Sequence, residues 1–353
     1  MRAISVEDLK PGMVLARTVT NPDMVVVLSE DTVLQKPHIT RLTFLNIPVV
    51  YIKDEQELRQ AENTSPLFMR SNQFIREYGT VVKTAENIFR NVQKTGEVPV
   101  EETSTMVKGS LFPLSRRSGV IDYLNDVNHL ADDVYNHSLR VSLLAGVIAK
   151  WMHFDREKTQ DIILAGFLHD IGKSKFPKRL LSKNIETLKG EDYEAYIQHT
   201  VDGHHILNRM DGLSDGVKLT ALQHHERMDG SGFPFGCDGA DIHEYARVIA
   251  VADLYDNITT ERTGYVKRTP FAAIAMVTEN MFTSLDPTVC VPVLTHIKDA
   301  FLGSKVLLSN GEKGTISAYP HGFASLPIVS LSEDELINLN DHPELTIMEY
   351  NPK

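Results

Sequence analysis

Seven side chains between residues 137 and 253 are of the kinds that hold transition metals. They are His137, the pair His169-Asp170, His199, the pair His224-His225, and Asp253. Neutral imidazole mixed with carboxylate is a donor set that suits iron, manganese, nickel or zinc. Each pair ends an apolar run and leads into glycine-bearing sequence, Ile-Gly-Lys after the first and Glu-Arg-Met-Asp-Gly after the second. A histidine and an aspartate at the end of a buried helix are costly unless they are paired or ligated. Asp253 interrupts the small apolar run Val-Ala-Asp-Leu-Tyr. The plain alternative for it is a helix N-cap.

Five segments must position these groups. Residues 133–152 read as an amphipathic helix carrying His137, and residues 159–176 as a helix that is apolar until His169-Asp170 and breaks at Gly172. Residues 191–207 carry His199, residues 217–234 end a helix at His224-His225, and residues 246–259 hold Asp253. Turns of the Asp-Gly and Gly-Phe-Pro kind break the helical run at 229–234. His129, His153, His204, His205 and His243 lie nearby without matching the pattern, and His204-His205 reads as the outward continuation of the His199 helix.

The flanks differ in character. Residues 1–60 read as a small α/β module, with strands at 24–28 and 47–52 and a short helix entered through Pro37 between them. Residues 61–128 read as a polar linker followed by connecting helices, with Phe74, Tyr78, Val81, Val82, Ile88 and Phe89 near one face. Residues 129–301 form the helical domain with the candidate ligands. Residues 302–353 are β-rich, and Asn310-Gly311 marks a hairpin between two β-prone runs. The fold class is therefore mainly α, with a small N-terminal α/β module and a short C-terminal β segment.

Composition bounds the function. The chain has 353 residues, 42% hydrophobic and 24% charged, an ordinary globular balance. No window approaches the roughly 20 uncharged apolar residues of a membrane span. The opening MRAISVEDLKPGM lacks the apolar core of a signal peptide, and Cys237 and Cys290 form no CxxC pattern, so a cytoplasmic location is expected. A net charge of −11 argues against binding polymeric nucleic acid. It leaves room for a small anionic ligand held by a metal and a few local cations.

The ordered stretches His137-Ser138, HDIGK (169–173), QHT (198–200), HHERMDGSGFP (224–234) and VADLYD (251–256) resemble the HD-GYP group of the HD hydrolase superfamily. The resemblance covers roughly residues 130–290. A KPGM motif at 10–13 resembles, more weakly, a domain often found ahead of HD-GYP domains. The resemblance implies a helical HD-type hydrolase bundle with a two- or three-metal centre, often iron. It also implies cleavage of the bacterial second messenger cyclic di-GMP to pGpG or GMP, or of the related cyclic GMP-AMP. By position, His137, His169, Asp170 and Asp253 would hold one ion, and Asp170, His199, His224 and His225 the other, with Asp170 bridging. Asp133 stands where three-metal members carry a glutamate; it is a third-ion ligand or a solvated surface acid.

Lys173 would contact the scissile phosphate as a cation, against the alternative of a surface lysine in a basic run. Glu226 would hydrogen-bond a ligating histidine from behind. Gly232 and Phe233 belong to the signature loop, with phenylalanine where the group usually has tyrosine. Arg262 and Lys267 would meet the second phosphate, in a stretch whose spacing departs from the group's pattern. Phe233 and Tyr265 could stack on a guanine or simply pack. A homodimer contact along the helix at 67–94 and signalling-protein contacts through the GSGFP loop complete the expected partners. Two other readings stand beside a cyclic dinucleotide phosphodiesterase. One is an HD hydrolase for another nucleotide or a phosphomonoester. The other is a non-catalytic nucleotide sensor, which the complete ligand set disfavours.

Overall fold

The computed structural model describes residues 2–17, 19–20, 26–28, 32, 34, 36–45, 47–52, 67–127, 133–176, 180, 188–260, 268–322, 325–332 and 335–351. The chain divides into two compact units, one of Met1–Ser71 with Leu294–Lys353, the other of Asn72–Val293. The sequence reading kept the first 60 residues apart from the C-terminal β segment, and the connecting helices apart from the helices that carry the ligands. In the structure each of these pairs falls into one unit.

In the first unit, strand β1 (Arg2–Ser5) pairs antiparallel with β4 (Val49–Ile52), from Arg2↔Ile52 to Ser5↔Val49. Along β4, Val49 and Tyr51 are exposed while Val50 and Ile52 are buried, the period-two pattern of a strand with one covered face. A shorter pair, β2 (Val19–Thr20) with β3 (Val26–Leu28), and the helix Lys36–Phe44 close a core of Leu15, Leu28, Leu34, Leu42 and Ile52. The C-terminal segment builds a five-stranded sheet. Strands β5 (Lys305–Leu308), β6 (Lys313–Ala318), β7 (Ile328–Ser330), β8 (Leu336–Asn338) and β9 (Ile347–Asn351) lie in the order β8-β7-β6-β5-β9. The turn at Asn310-Gly311 joins β5 to β6, with Val306 opposite Gly314. Arg41 of the N-terminal segment and Asp299 of the helix Pro287–Phe301 form an ion pair at 2.9 Å.

The second unit is helical. The helix Leu67–Thr95 runs into it and buries Phe74, Tyr78, Val81, Ala85, Ile88, Phe89 and Val92 along one stripe, with Val82 on its flank. Arg117 ties the next turns back to it through Glu77 at 2.6 Å. At the centre lies the helix Val134–Trp151, in which every residue from Asn136 to Ala149 is buried. The helices Arg156–Leu168 and Glu244–Thr259 pack against it, and Asp215–Gln223 packs against both of these and against Glu191–Asn208. Asp155 and Ser214 cap two of these helices by accepting from the N–H groups of Lys158 and Val217, which fixes where each begins. Among the described residues, no helix is long and apolar enough to cross a membrane.

Candidate metal centre

All seven candidate ligands come together in the helical unit. His137 sits in the first turn of the central helix, and His169-Asp170 follow the last residue of Arg156–Leu168. His199 lies mid-helix in Glu191–Asn208, and His224-His225 follow Asp215–Gln223. Asp253 lies in the middle of Glu244–Thr259, so it caps no helix. Close backbone approach draws these elements together at two glycines. A Cβ on Gly172 would collide with the backbone of His199 and Gly203, and one on Gly232 with that of His225, Glu226 and Arg227.

The donor atoms form two buried clusters that could hold metal ions. One comprises Asp170, His199, His224 and His225, the other His137, His169 and Asp253, and within each the ligand atoms lie within 4.8 Å of one another. Asp170 faces both ways. Its Oδ1 is 3.2 Å from His199 Nε2 and 3.5 Å from His224 Nε2, while its Oδ2 is 3.5 Å from His169 Nε2 and 3.6 Å from His137 Nε2. His137 Nε2 also lies 3.0 Å from Asp253 Oδ1.

The imidazoles are oriented from behind. His169 Nδ1 donates to the Gly166 carbonyl at 2.7 Å, His199 Nδ1 to the Tyr196 carbonyl, and His224 Nδ1 to the Thr220 carbonyl at 3.1 Å. The Gly166 carbonyl lies in the last turn of its helix, where carbonyls lack helical partners, while the Thr220 carbonyl also accepts from the His224 backbone N–H at 3.0 Å. With Nδ1 protonated, each Nε2 lone pair is left for the site. His169 Nε2 and His225 Nε2 are buried and have no hydrogen-bond partner, which is costly for a polar atom but natural for a ligand. On these observations the donors fit divalent ions.

The electrostatics agree. Burial pushes His169 down to about 3 and His199 down to about 4, despite the nearby Asp170 carboxylate. Both rings are therefore neutral, as ligands must be. Burial alone would raise Asp170, but Lys173 and the surrounding histidines outweigh it and hold the carboxyl well below its usual range.

Lys173 is not on the surface. Its Nζ is 2.7 Å from Asp170 Oδ2 and 3.3 Å from the Tyr196 hydroxyl. Phe233 lies against His225, with ring centroids 4.5 Å apart. Asp133 belongs to neither cluster: its carboxylate is exposed at the start of the His137 helix and accepts from the Tyr135 hydroxyl at 2.8 Å. Glu226 departs from expectation. Its two carboxylate oxygens accept from the backbone N–H groups of Phe235 and Cys237, at 2.8 and 3.0 Å, instead of from a histidine. The chain turns after His225, and the glutamate ties down the following loop. Arg262, Lys267 and Tyr265 lie outside the described residues.

Sequence reasoning missed Asp256 and Arg140. Asp256 accepts from His137 Nδ1 at 2.8 Å and holds Arg140 through Nε at 2.8 Å and Nη2 at 3.1 Å. It does for His137 what helix carbonyls do for the other rings. The available signal was a second carboxylate inside VADLYD and an arginine on a helix with no exposed face.

Comparison with known proteins agrees with this geometry. Residues 120–289 match the HD domain family. A cyclic di-GMP phosphodiesterase of Thermotoga maritima is 38% identical over 169 residues, 47% of this chain and 44% of that protein. A 3'3'-cGAMP-specific phosphodiesterase of Vibrio cholerae is 35% identical over 138 residues, 39% of this chain and 32% of that protein. The matched stretch thus spans less than half the length of these curated relatives. The fold is shared with an HDGYP protein from Bdellovibrio bacteriovorus, with a TM-score of 0.55 at 18% identity, covering 83% of this chain and 97% of that one. Ligand order, helical scaffold and family match converge: residues 120–289 are similar to the HD domain family, in a fold shared with an HDGYP protein.

Proposed function

We propose that the chain is a metal-dependent phosphodiesterase that hydrolyses a cyclic dinucleotide, cyclic di-GMP, to pGpG, GMP or both. The observation that carries this reading is the convergence of seven buried histidine and aspartate side chains into two clusters with Asp170 between them. In this reading His137, His169, Asp170 and Asp253 hold one divalent ion, and Asp170, His199, His224 and His225 the other. Iron is the proposed metal, and manganese, nickel or zinc suit the same donors. Ions held there would supply Lewis-acid polarisation of the phosphate and a hydrolytic nucleophile near neutral pH.

The protein's own residues do the rest. Neutral imidazoles with fixed Nδ1–H groups present lone pairs inward, so little reorganisation precedes binding. Asp170 uses its two oxygens on two sides. Lys173 balances charge at Asp170 and turns to the scissile phosphate as negative charge grows there. Gly232 and Phe233 shape the loop over His225, and Arg262 and Lys267 are assigned to the second phosphate. The proposal places this chemistry in the cytoplasm. A homodimer and signalling-protein partners at the GSGFP loop remain part of it.

The test is anaerobic purification, metal analysis, and turnover of cyclic di-GMP beside cyclic GMP-AMP on one sample. Two metals per chain with pGpG or GMP appearing is the expected result. Preferential cleavage of cyclic GMP-AMP would favour the activity named for the Vibrio cholerae relative. Tight binding of either nucleotide to metal-replete protein without turnover would replace the enzyme with a sensor. Asp170→Ala should lose both metals together with turnover; full metal occupancy in that variant would refute the bridging role.

A further inference from the structure

Tyr196 lies on the helix Glu191–Asn208, three residues before His199, and no role has been given to it so far. Its ring stands in an aromatic wall with Phe176, His199, His225 and Phe233, at centroid distances of 6.0, 5.0, 6.1 and 6.4 Å. Its hydroxyl oxygen lies 3.3 Å from Lys173 Nζ, which in turn reaches Asp170 Oδ2 at 2.7 Å. An ammonium group only donates. The bond to Lys173 therefore occupies a tyrosine lone pair and leaves the O–H proton for another acceptor. Among the described residues the structure gives that proton no acceptor. Phe233, the loop aromatic beside it, has no hydroxyl to offer.

We propose that Tyr196 donates its O–H to a non-bridging oxygen of the phosphate bound at the histidine–aspartate centre, side by side with Lys173. The proposal rests on the phosphodiester reading given above. It assigns the site a pair of donors of different kinds. The lysine supplies charge. The tyrosine supplies a directional bond, held in place by a ring packed between Phe176 and Phe233.

Metal-loaded wild type, Tyr196→Phe and Tyr196→Leu are titrated with inorganic phosphate by calorimetry, then assayed for cyclic di-GMP turnover. Metal content and melting temperature are followed in each. The phenylalanine variant should bind phosphate about tenfold or more weakly, the scale of one hydrogen bond to a charged group. Its kcat should fall by a similar factor, with metal content and melting temperature unchanged. Wild-type behaviour of Tyr196→Phe would overturn the proposal, as would a defect confined to Tyr196→Leu, which would make the ring a packing element. Failure of wild type to bind phosphate would overturn it too. Wild type that binds phosphate yet cleaves neither cyclic dinucleotide would refute the phosphodiesterase reading, while the comparison with Tyr196→Phe would still decide the hydrogen bond.

Discussion

Asp256→Asn is the substitution whose cost the structure defines best. Asp256 is 2% exposed and Arg140 is 1% exposed. Oδ2 of the aspartate receives His137 Nδ1 and Arg140 Nη2, while Oδ1 receives Arg140 Nε and the Thr260 hydroxyl. An asparagine keeps one acceptor oxygen and turns the other into a donor. Whichever way the amide faces, its NH2 meets an Arg140 N–H, donor against donor, and the arginine loses its countercharge. Breaking a buried ion pair from one side costs about 3–5 kcal/mol. For a unit of this size that lowers the melting temperature by on the order of 10 °C. Urea denaturation of the metal-free protein, followed by circular dichroism, measures the loss.

The same variant frees the His137 ring, so affinity for the metal beside His169 and Asp253 should fall by about 10–100-fold, read by competition with a chelator. Adding Arg140→Met to Asp256→Asn removes the stranded charge. The double variant should regain most of the stability and none of the metal affinity. If Asp256→Asn unfolds within about 1 kcal/mol of wild type, near the scale of a single neutral hydrogen bond, and binds metal normally, the role given to this buried network is wrong.

Other outcomes follow from the same geometry. Lys173→Ala should slow turnover while metal content stays at the wild-type level; lost metal would make the lysine a structural partner of Asp170 instead. Gly232→Ala should displace the loop over His225 and lower both metal occupancy and melting temperature, because a Cβ there meets only backbone. Acidification should destabilise the metal-stripped protein. His169 and His199 sit at about 3 and about 4, below the ordinary 6.5, so below pH 6.5 the unfolded chain binds more protons. Their neutral burial is fully tolerated above that pH and is lost as pH falls toward 4. A flat stability profile from pH 7 to 4.5 in the chelator-treated protein would contradict this.

The clustering of the seven candidate ligands was legible because their residue types have few other reasons to sit at the ends of apolar helices. The central helices were legible from their apolar patterning, and the β5–β6 hairpin from Asn310-Gly311. What stayed hidden depends on distance along the chain. His137 and Asp256 are separated by 119 positions, and nothing local to either announces the other. Tyr196 looks like any helix aromatic until Lys173 is placed beside it. Glu226 was misassigned because proximity in sequence to His224 and His225 suggested contact, whereas the turn after them carries its carboxylate to Phe235 and Cys237. Strands β1, β8 and β9 have three to five residues, too few for alternation to show. The grouping of Met1–Ser71 with Leu294–Lys353 has no local signature at all.

The rings of His169, His199 and His224 are each aimed by a carbonyl three or four residues earlier on the same stretch of chain. Their aim is settled as soon as a turn of helix forms. His137 is aimed only once the helix Glu244–Thr259 has docked and brought Asp256 against it. The two halves of the centre therefore differ in what they require of the rest of the unit. Loosening that one helix would act first on the half built on His137 and Asp253. On the two-ion reading, metal loading would accordingly be graded, with a singly loaded form between the empty and full states.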